Sequence, residues 1–464
     1  MNGSSQFIRQ NARWTVLSGP SLSIILASLG ISTAAVTLPA LSSDFSGQRL
    51  DPTLVVSIYV LATTALIVPI GRTGDIFGKR PVLISGVCLY ILGAFLAFHA
   101  LSLPMLVACR FIQGAGAAAM MAMPLASVRD FVPADQAGRW MGVMGTMSAI
   151  GTASGPAIGG VIVSAFGWRA VYLMQFPVAL AALALCLVYF HPPKRDRAQK
   201  GIDLFGSVTL AVFLAAVTFL VSDISNGFDF NIVLFATLAV GAIVAFCVIE
   251  ARAETPIIPI EVLRSNHVRL SLAMNAIVSL VMMGVLVVGP FFLVGGLGLT
   301  TAQMGSVMSV GPISAVLSGI SAGRLTDKIG SGRAVIFGAS AMAVATAAMA
   351  GLPYVFKLYG FILAFILLAP SYQVFLAALN TSVMENAPEQ DRGVTSGVLN
   401  LSRNFGFVLG AGTVSAVFWS MVHFETNIED GAQMIRLAMA GTFAACCVLT
   451  LGVVLLSINA YRSR

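Results

Sequence analysis

Residues 71–80 read GRTGDIFGKR, and residues 323–333 read GRLTDKIGSGR. Each stretch begins with Gly-Arg, has an aspartate four residues after the first glycine (Asp75 and Asp327), and has another glycine three residues after that aspartate. Long apolar runs flank both stretches, so each is a short polar turn between two apolar segments. Two such turns, 252 residues apart at their aspartates, indicate an internal repeat.

The repeat continues beyond these turns. Asp130 lies 55 residues after Asp75, and Glu385 lies 58 residues after Asp327. Membrane transporters are often built from such repeats, with the binding site where the two repeats meet. The pattern therefore predicts two related halves, and a chance match between two short turns is the less favoured alternative.

The composition limits the class of protein. Of the 464 residues, 58% are hydrophobic and only 10% are charged, whereas soluble domains are about 45–50% apolar and about 25% charged. This excludes a soluble, a disordered or a nucleic-acid-binding chain, despite the net charge of +7. The six cysteines and four histidines are scattered, which predicts no disulfide framework and no metal site.

Apolar runs long enough to cross a bilayer, about 20 residues each, occur along the whole chain. The runs 204–222 and 231–249 are the least distinct, and twelve spans remain without them. The fourteen predicted spans are 16–41, 52–70, 81–100, 103–127, 138–165, 168–190, 204–222, 231–249, 270–294, 303–323, 334–352, 356–383, 393–420 and 435–458.

The basic residues predict the orientation, because short cytoplasmic loops carry an excess of Lys and Arg. With alternating spans, 20 of the 26 Lys and Arg residues fall on the side of the two termini. We therefore expect both termini in the cytoplasm and a multi-pass plasma-membrane protein, with short loops typical of a bacterial inner membrane. The predicted parts are an N-terminal tail (1–15), a six-helix bundle (16–190), a linker (191–203), two inserted helices (204–249), a second linker (250–269), a second six-helix bundle (270–458) and a C-terminal tail (459–464).

Six motifs in order resemble those of the major facilitator superfamily, specifically its fourteen-spanner drug:proton antiporter branch. The resemblance implies an all-α membrane fold of two six-helix bundles plus two inserted helices, and proton-coupled multidrug efflux by alternating access. The repeated turn counts as one motif, and the other five are LVACRFIQGAGAA (106–118), GTASGPAIGG (151–160), FGWRAVYLMQFP (166–177), ETPIIPIEVLR (254–264) and NLSRNFGFVLG (400–410).

The same resemblance implies a gate on the cytoplasmic side, formed by charged residues that must separate when the inward face opens. A turn whose basic residues only set the orientation is the alternative. The residues concerned are Gly71, Asp75, Gly78, Lys79, Asp130, Gly323, Asp327 and Glu385.

Two arginines, Arg110 and Arg403, fall within predicted spans. Because a buried Arg costs at least about 2.5–3.5 kcal/mol on insertion scales, each should face the protein interior or a wet cavity. Two interpretations of Arg110 stay open. It either bonds backbone carbonyls of a neighbouring helix, or it acts as a coupling residue that tunes a carboxylate or holds an anionic substrate.

The motif GTASGPAIGG places small residues on one helix face, and such faces let helices approach closely. Its Pro156 permits a bend. By resemblance, the antiporter motif consists of Gly151, Gly155, Pro156, Gly159 and Gly160.

One departure from the branch concerns its first helix, which usually carries an aspartate. Gly30 stands at that position, and none of the nineteen acidic residues lies in the middle of a predicted span. An organic dication would need such a carboxylate, so we expect neutral, amphipathic or anionic substrates. Proton coupling would use a helix-end acid, or it would be absent.

Polar or aromatic residues in the middle of spans are candidates for a substrate cavity, although each alone is more often an interhelical hydrogen bonder. They are Ser32, Tyr59, Gln113, Asn275, Tyr372, Gln373 and Asn404.

The predicted function is therefore secondary active export of small hydrophobic or amphipathic compounds, driven by the proton gradient without a cofactor and carried out by a monomer. The alternative is a transporter for one metabolite or anionic solute, with another coupling ion or none. An integral-membrane enzyme or a channel is disfavoured, since there is no nucleophile motif, no metal-ligand motif and no P-loop.

Overall fold

The computed structural model describes residues 2–46, 51–132, 134–191, 204–223, 230–253, 265–386, 392–424 and 431–461. Within these ranges the regular structure is entirely helical. This follows from the apolar sequence, because the bilayer core has no water to satisfy backbone groups and a helix pairs them internally.

Seven helical segments make up the first half. Helices α6 and α7 are separated by Met174 alone and form one apolar segment, Ala170–Tyr189. The bounds are α1 Asn2–Asp44, α2 Leu54–Phe77, α3 Lys79–Phe98, α4 Leu103–Phe131, α5 Ala134–Phe166, α6 Ala170–Leu173 and α7 Gln175–Tyr189.

The remaining segments follow in the same order as the predicted spans. A five-residue π-helix, Phe292–Gly296, continues α10. The bounds are α8 Leu204–Asp223, α9 Phe230–Glu250, α10 Asn266–Phe291, α11 Thr301–Ile329, α12 Ser331–Asn386, α13 Arg392–Phe424 and α14 Gly431–Tyr461.

Among the described residues, eleven helices are long and apolar enough to span a membrane, or twelve if the two parts of α11 form one span. The apolar part of α8, Phe205–Val221, is shorter. The count of fourteen, the side of the termini and the domain bounds stay predictions. Residues 192–203 and 254–264 of the predicted linkers and 462–464 of the C-terminal tail lie outside the described residues.

Helix α12 has 56 residues and a break at Lys357, whose φ of 50° and ψ of −121° are not helical. A continuous helix of that length would measure about 84 Å, nearly three times the hydrocarbon thickness of about 30 Å. Gly360 packs against the backbone of Leu352, which shows that the chain folds back there. The break lies two residues after the gap 353–355 that separates the predicted spans 334–352 and 356–383.

The two repeated stretches, predicted as turns, are helical except at one glycine each, because α2 continues to Phe77 and α11 to Ile329. At that glycine the two have the same backbone. Gly78 separates α2 from α3 with φ 100° and ψ 144°, and Gly330 separates α11 from α12 with φ 85° and ψ 149°. Each glycine N–H donates to the carbonyl four residues earlier, at 3.0 Å. Since side-chain-bearing residues rarely adopt this conformation, the turn requires the second glycine of each repeat.

Small residues also pack α5 and α13 in equivalent ways. Gly151 lies against the Ile25 carbonyl of α1, and Gly406 lies against the Ala276 carbonyl of α10. Therefore α5 packs closely on α1 in the first half, and α13 packs closely on α10 in the second half. Gly155 and Gly410 repeat the contact one turn further along, on Ser32 and Leu280 respectively.

The two halves contact each other at Gly160, the last residue of the antiporter motif. A Cβ added to Gly160 of α5 would lie 2.7 Å from the Cα of Gly305 in α11. The carbonyl of Pro156 also lies against Gly305. Thus the glycines at 151 and 155 face the same half, and Gly160 faces the other half.

Candidate functional site

A cavity of about 440 Å³ lies between the two halves, within the range of about 300–1,000 Å³ typical of small-molecule sites. On α5 it is lined by residues 144–152, whereas the close contact at Gly160 is nearer the other end of that helix. The lining residues are Ile24, Ser28, Ile31, Val60, Thr63, Met121, Leu125, Met144, Gly145, Ser148, Ala149, Thr152, Met282, Leu286, Pro312, Ala315, Tyr372, Gln373, Leu376, Asn400, Arg403, Asn404 and Phe407.

The wall from the first half is apolar, and its hydroxyl groups are already hydrogen-bonded. Ser28 and Ser148 share a hydrogen bond of 2.7 Å between their Oγ atoms. Thr63 donates to the Tyr59 carbonyl at 2.8 Å. This wall therefore offers a ligand mainly hydrophobic and methionine surface.

The wall from the second half combines apolar residues such as Met282 and Leu286 with most of the polar groups and the one charged residue of the lining. Tyr372 and Gln373 of α12 face the cavity together with Arg403 and Asn404 of α13. The Arg403 Nε is buried without a hydrogen-bond partner among the described residues, and the Tyr372 hydroxyl is close enough to Arg403 and to Ser279 to interact with both. None of the residues that line the cavity is an Asp, Glu or Lys.

The other four candidates from the sequence, Ser32, Tyr59, Gln113 and Asn275, are buried outside this lining. Ser32 donates to the Leu29 carbonyl of its own helix at 3.3 Å. Asn275 donates to the backbone carbonyl of Leu399 at 2.8 Å and so joins α10 to α13. Their observed contacts are interhelical or local hydrogen bonds.

Arg110 is fully buried in the first half. Its Nε donates to the Val55 carbonyl at 3.0 Å, and its Nη2 donates to the Gly30 carbonyl at 2.9 Å. Its Nη1 donates to Gln113 Oε1 at 2.5 Å, and its guanidinium lies 4.1 Å from the centre of the Tyr59 ring. Arg110 thereby joins α4 to α1 and α2 through backbone oxygens and an aromatic face.

Two residues that sequence reasoning missed extend this arrangement. Gln113 Nε2 donates to Gln175 Oε1 at 2.7 Å, and the Tyr90 hydroxyl donates to the same oxygen at 2.8 Å. Both Tyr90 and Gln175 are polar residues within apolar runs, which is the only sequence signal that could have found them. The cluster Arg110–Gln113–Gln175–Tyr90 links α4, α7 and α3.

The first repeated turn holds a partly buried ion pair. Lys79 Nζ lies 2.6 Å from Asp130 Oδ2, and these side chains are 12% and 2% exposed. Lys79 also donates to the Ala126 carbonyl at 2.7 Å. Asp75 is exposed and makes no ion pair with any side chain that the structure describes.

At the second turn the equivalent contact has a neutral donor, a serine, in place of the lysine. Ser331, which follows Gly330 as Lys79 follows Gly78, donates to Glu385 Oε2 at 2.6 Å. Asp327 is exposed, as Asp75 is. In the first half, the residue that begins α3 contacts the acid at the end of α4. In the second half, the residue that begins α12 contacts the acid near the end of α12, beyond the break at Lys357.

At the opposite end of the first half, the Trp-Arg pair of the motif 166–177 joins three elements. Trp168 Nε1 donates to Asp44 Oδ2 at 2.7 Å. Arg169 lies over the Trp168 ring at 4.2 Å and donates to the Ala100 carbonyl at 3.1 Å. The ends of α1 and α3 are thus held to the start of α6.

Comparison with known proteins agrees with this architecture. The family model described as Major Facilitator Superfamily matches residues 21–411. A riboflavin transporter of Clostridioides difficile (strain 630) is 25% identical over 447 residues, covering 96% of each chain. A tetracenomycin C resistance and export protein of Streptomyces glaucescens is 25% identical over 456 residues, 92% of this chain and 84% of that one.

Among solved structures, a bacterial homologue of the human lysosomal transporter Spinster, in an inward-facing and unoccupied conformation, has a similar fold. The TM-score is 0.68 at 15% identity, with 97% of both chains covered. At this identity the likeness concerns the fold alone.

Proposed function

The chain belongs to the Major Facilitator Superfamily, and from that premise we propose that this membrane transporter exports small hydrophobic or amphipathic compounds by alternating access. The observation that carries the proposal is the cavity between the two halves, with its apolar wall and its few polar groups. Two relatives named for riboflavin transport and for tetracenomycin C export add support.

Alternating access requires the two halves to separate at one end and close at the other. Gly160 and Gly305 form the closed contact in this state. The cavity lies further toward the start of α5, on the side of the repeated turns. We place the gate at those turns, with Asp75, Lys79 and Asp130 as its charged residues. The Lys79–Asp130 pair is intact in this state and joins α3 to α4 within the first half, so any separation at the gate has to occur between this pair and the second half.

The proposed transporter has fourteen spans, both termini in the cytoplasm of a bacterial cell, and works as a monomer in the inner membrane. The break at Lys357 supports two spans within α12. Helices α8 and α9 are then the inserted pair between two six-helix bundles.

The proposed energy source is the proton gradient. Because none of the described residues that line the cavity is a carboxylate, the candidate proton acceptors are the helix-end acids Asp75, Asp130 and Glu385. Arg110 bonds to backbone and amide oxygens, so its part in the cycle is to hold α1 and α2 against α4.

A second candidate function is transport of one metabolite or anionic solute. The cationic second-half wall, formed by Arg403 without an acid among the lining residues, favours it. Under this alternative the coupling ion need not be a proton.

The test is a susceptibility panel of dyes and antibiotics in an efflux-deficient bacterial host. Expression should raise the tolerated concentration of several amphipathic compounds, and a protonophore should abolish the gain in inverted vesicles. As a matched control, Gly160→Leu at equal expression should give no gain, because the bulky side chain blocks the contact with Gly305. An unchanged panel in all compounds would exclude multidrug export and leave the specific-solute function.

A further inference from the structure

The second-half wall of the cavity has the chemistry of an anion site. The Arg403 Nε is buried and has no hydrogen-bond partner among the described residues, and the Tyr372 hydroxyl lies close to Arg403 and to Ser279. Tyr372 is only 8% exposed. Buried charged groups without a counter-charge are uncommon and costly, so an anion bound at Arg403 would supply a partner for this guanidinium.

Among the described residues, no ion pair neutralises the charge of this wall. The residues that line the cavity include one cation, Arg403, and no carboxylate. The two ion pairs among the described residues, Lys79–Asp130 and Arg169–Asp44, involve other parts of the molecule. A carboxylate or sulfonate fits a guanidinium in a bidentate arrangement and gains strength from its charge.

The opposite wall differs in its chemistry. Ser28 and Ser148 are bonded to each other, and Met121, Leu125 and Met144 supply apolar, adaptable surface. A ligand that spans the cavity would therefore place its acidic group on α12 and α13, and its apolar body on α4 and α5.

We propose that the transported compounds are amphipathic organic anions, whose acidic group binds Arg403 and Tyr372 while their apolar body lies against the methionine wall. This inference rests on the proposed export function and specifies its substrate class. Organic cations are poor ligands because Arg403 repels them and no carboxylate in the lining attracts them.

The experiment uses three fluorescent probes with one body and different charge: dansylglycine, its methyl ester, and dansyl-ethylenediamine. Binding to the purified full-length protein is measured by fluorescence anisotropy. Dansylglycine should bind at least about tenfold more tightly than the ester, the gain expected of a hydrogen bond to a charged group. The cationic probe should bind most weakly.

Variants separate a ligand contact from a structural role. Arg403→Gln should remove the preference for dansylglycine and leave ester binding unchanged, and Arg403→Lys should keep part of the preference. Tyr372→Phe should weaken dansylglycine alone. An equal loss for all three probes, or equal affinity of the native protein for all three, overturns the inference. Size-exclusion profiles check that the variants are folded.

Failure of the inference is distinguishable from failure of the proposed function. Export of the neutral ester without any preference for the anion refutes the anion site and keeps the exporter. Tight binding of dansylglycine without export from loaded vesicles keeps the anion site and refutes the exporter.

Discussion

The ammonium group of Lys79 lies 2.6 Å from the carboxylate of Asp130, where α3 begins and α4 ends. At the equivalent place in the second half, Ser331 donates a hydrogen bond to Glu385 at the same length. The two halves therefore share a contact at this place, but the chemical groups that form it differ. One half uses a partly buried ion pair, and the other half uses a neutral donor to an exposed acid.

This difference predicts unequal sensitivity of the two turns. Lys79→Met leaves the Asp130 carboxylate in a buried site without its ammonium partner, which should destabilise the protein by up to about 3–5 kcal/mol. Ser331→Ala is the matched control, and a change at such an exposed contact should stay within about 0.5 kcal/mol. Thermal melting in detergent measures both.

The double variant Lys79→Met/Asp130→Asn should lose less stability than the two single variants added together, because both single variants lose the same Lys79–Asp130 interaction. Transport at equal expression should fall for Lys79→Met and stay near normal for Ser331→Ala. Equal melting temperatures for the Lys79 and Ser331 variants would contradict the importance of the ion pair.

A second prediction concerns two glycines that the repeated motif does not distinguish. Gly78→Ala forces a side chain into φ 100° and should destabilise the protein by about 1–3 kcal/mol. Gly71 lies inside α2 with no atom within 4 Å of an added Cβ, so Gly71→Ala should stabilise it by about 0.5–1 kcal/mol. Melting curves of the two variants should shift in opposite directions, and shifts of the same sign would count against this account of the turn.

A third prediction concerns the contact between the halves. Alanine at 160 would press on Gly305, whereas the Cβ of alanine at 159 would meet Thr33 at an ordinary 3.6 Å. Overpacking at 160 should cost the closed state about 1–3 kcal/mol, a shift of about 5- to 150-fold in the equilibrium between the two conformations. Transport rates at equal expression should therefore fall for Gly160→Ala and change little for Gly159→Ala; equal rates would show that this contact does not set the conformational equilibrium.

A fourth prediction tests the missing aspartate of the first helix. A Cβ on Gly30 would lie 2.5 Å from the Tyr90 hydroxyl oxygen and 3.0 Å from that of Tyr59. Gly30→Asp alone should therefore lower stability by about 1–3 kcal/mol through overpacking. Adding Tyr90→Phe removes the nearest oxygen and should recover part of the loss.

The same pair of variants reports on coupling. In the double variant a carboxylate stands beside Arg110, so transport should become more dependent on external pH than in the native protein. The single variant Tyr90→Phe is the control for the loss of the bond to Gln175. An unchanged pH profile in a stable double variant would show that an acid at this position does not confer coupling.

The sequence shows most of the polar residues of the candidate site, but it does not show which of them line the cavity and which join helices in the packed interior. Tyr372, Gln373, Arg403 and Asn404 were identified as polar residues within spans, and the structure places all four at the cavity. By the same criterion Gln113 was a cavity candidate, yet it bonds Arg110 and Gln175 in the packed interior. A polar residue in a span satisfies its hydrogen bonds wherever helices meet, so its type alone does not separate the two roles.

The sequence by itself determined where most helices begin and end, because hydropathy and backbone satisfaction in a bilayer are local properties of about 20 residues. It also showed the repeat, since each copy preserves a turn that needs glycine. Only the tertiary structure decided that Lys79 pairs with Asp130 while Asp75 is exposed, that Gly151 faces α1 while Gly160 faces α11, and that Arg403 lines the cavity while Arg110 does not. These facts depend on the rotation of each helix about its axis, which is set by packing between residues far apart in the chain.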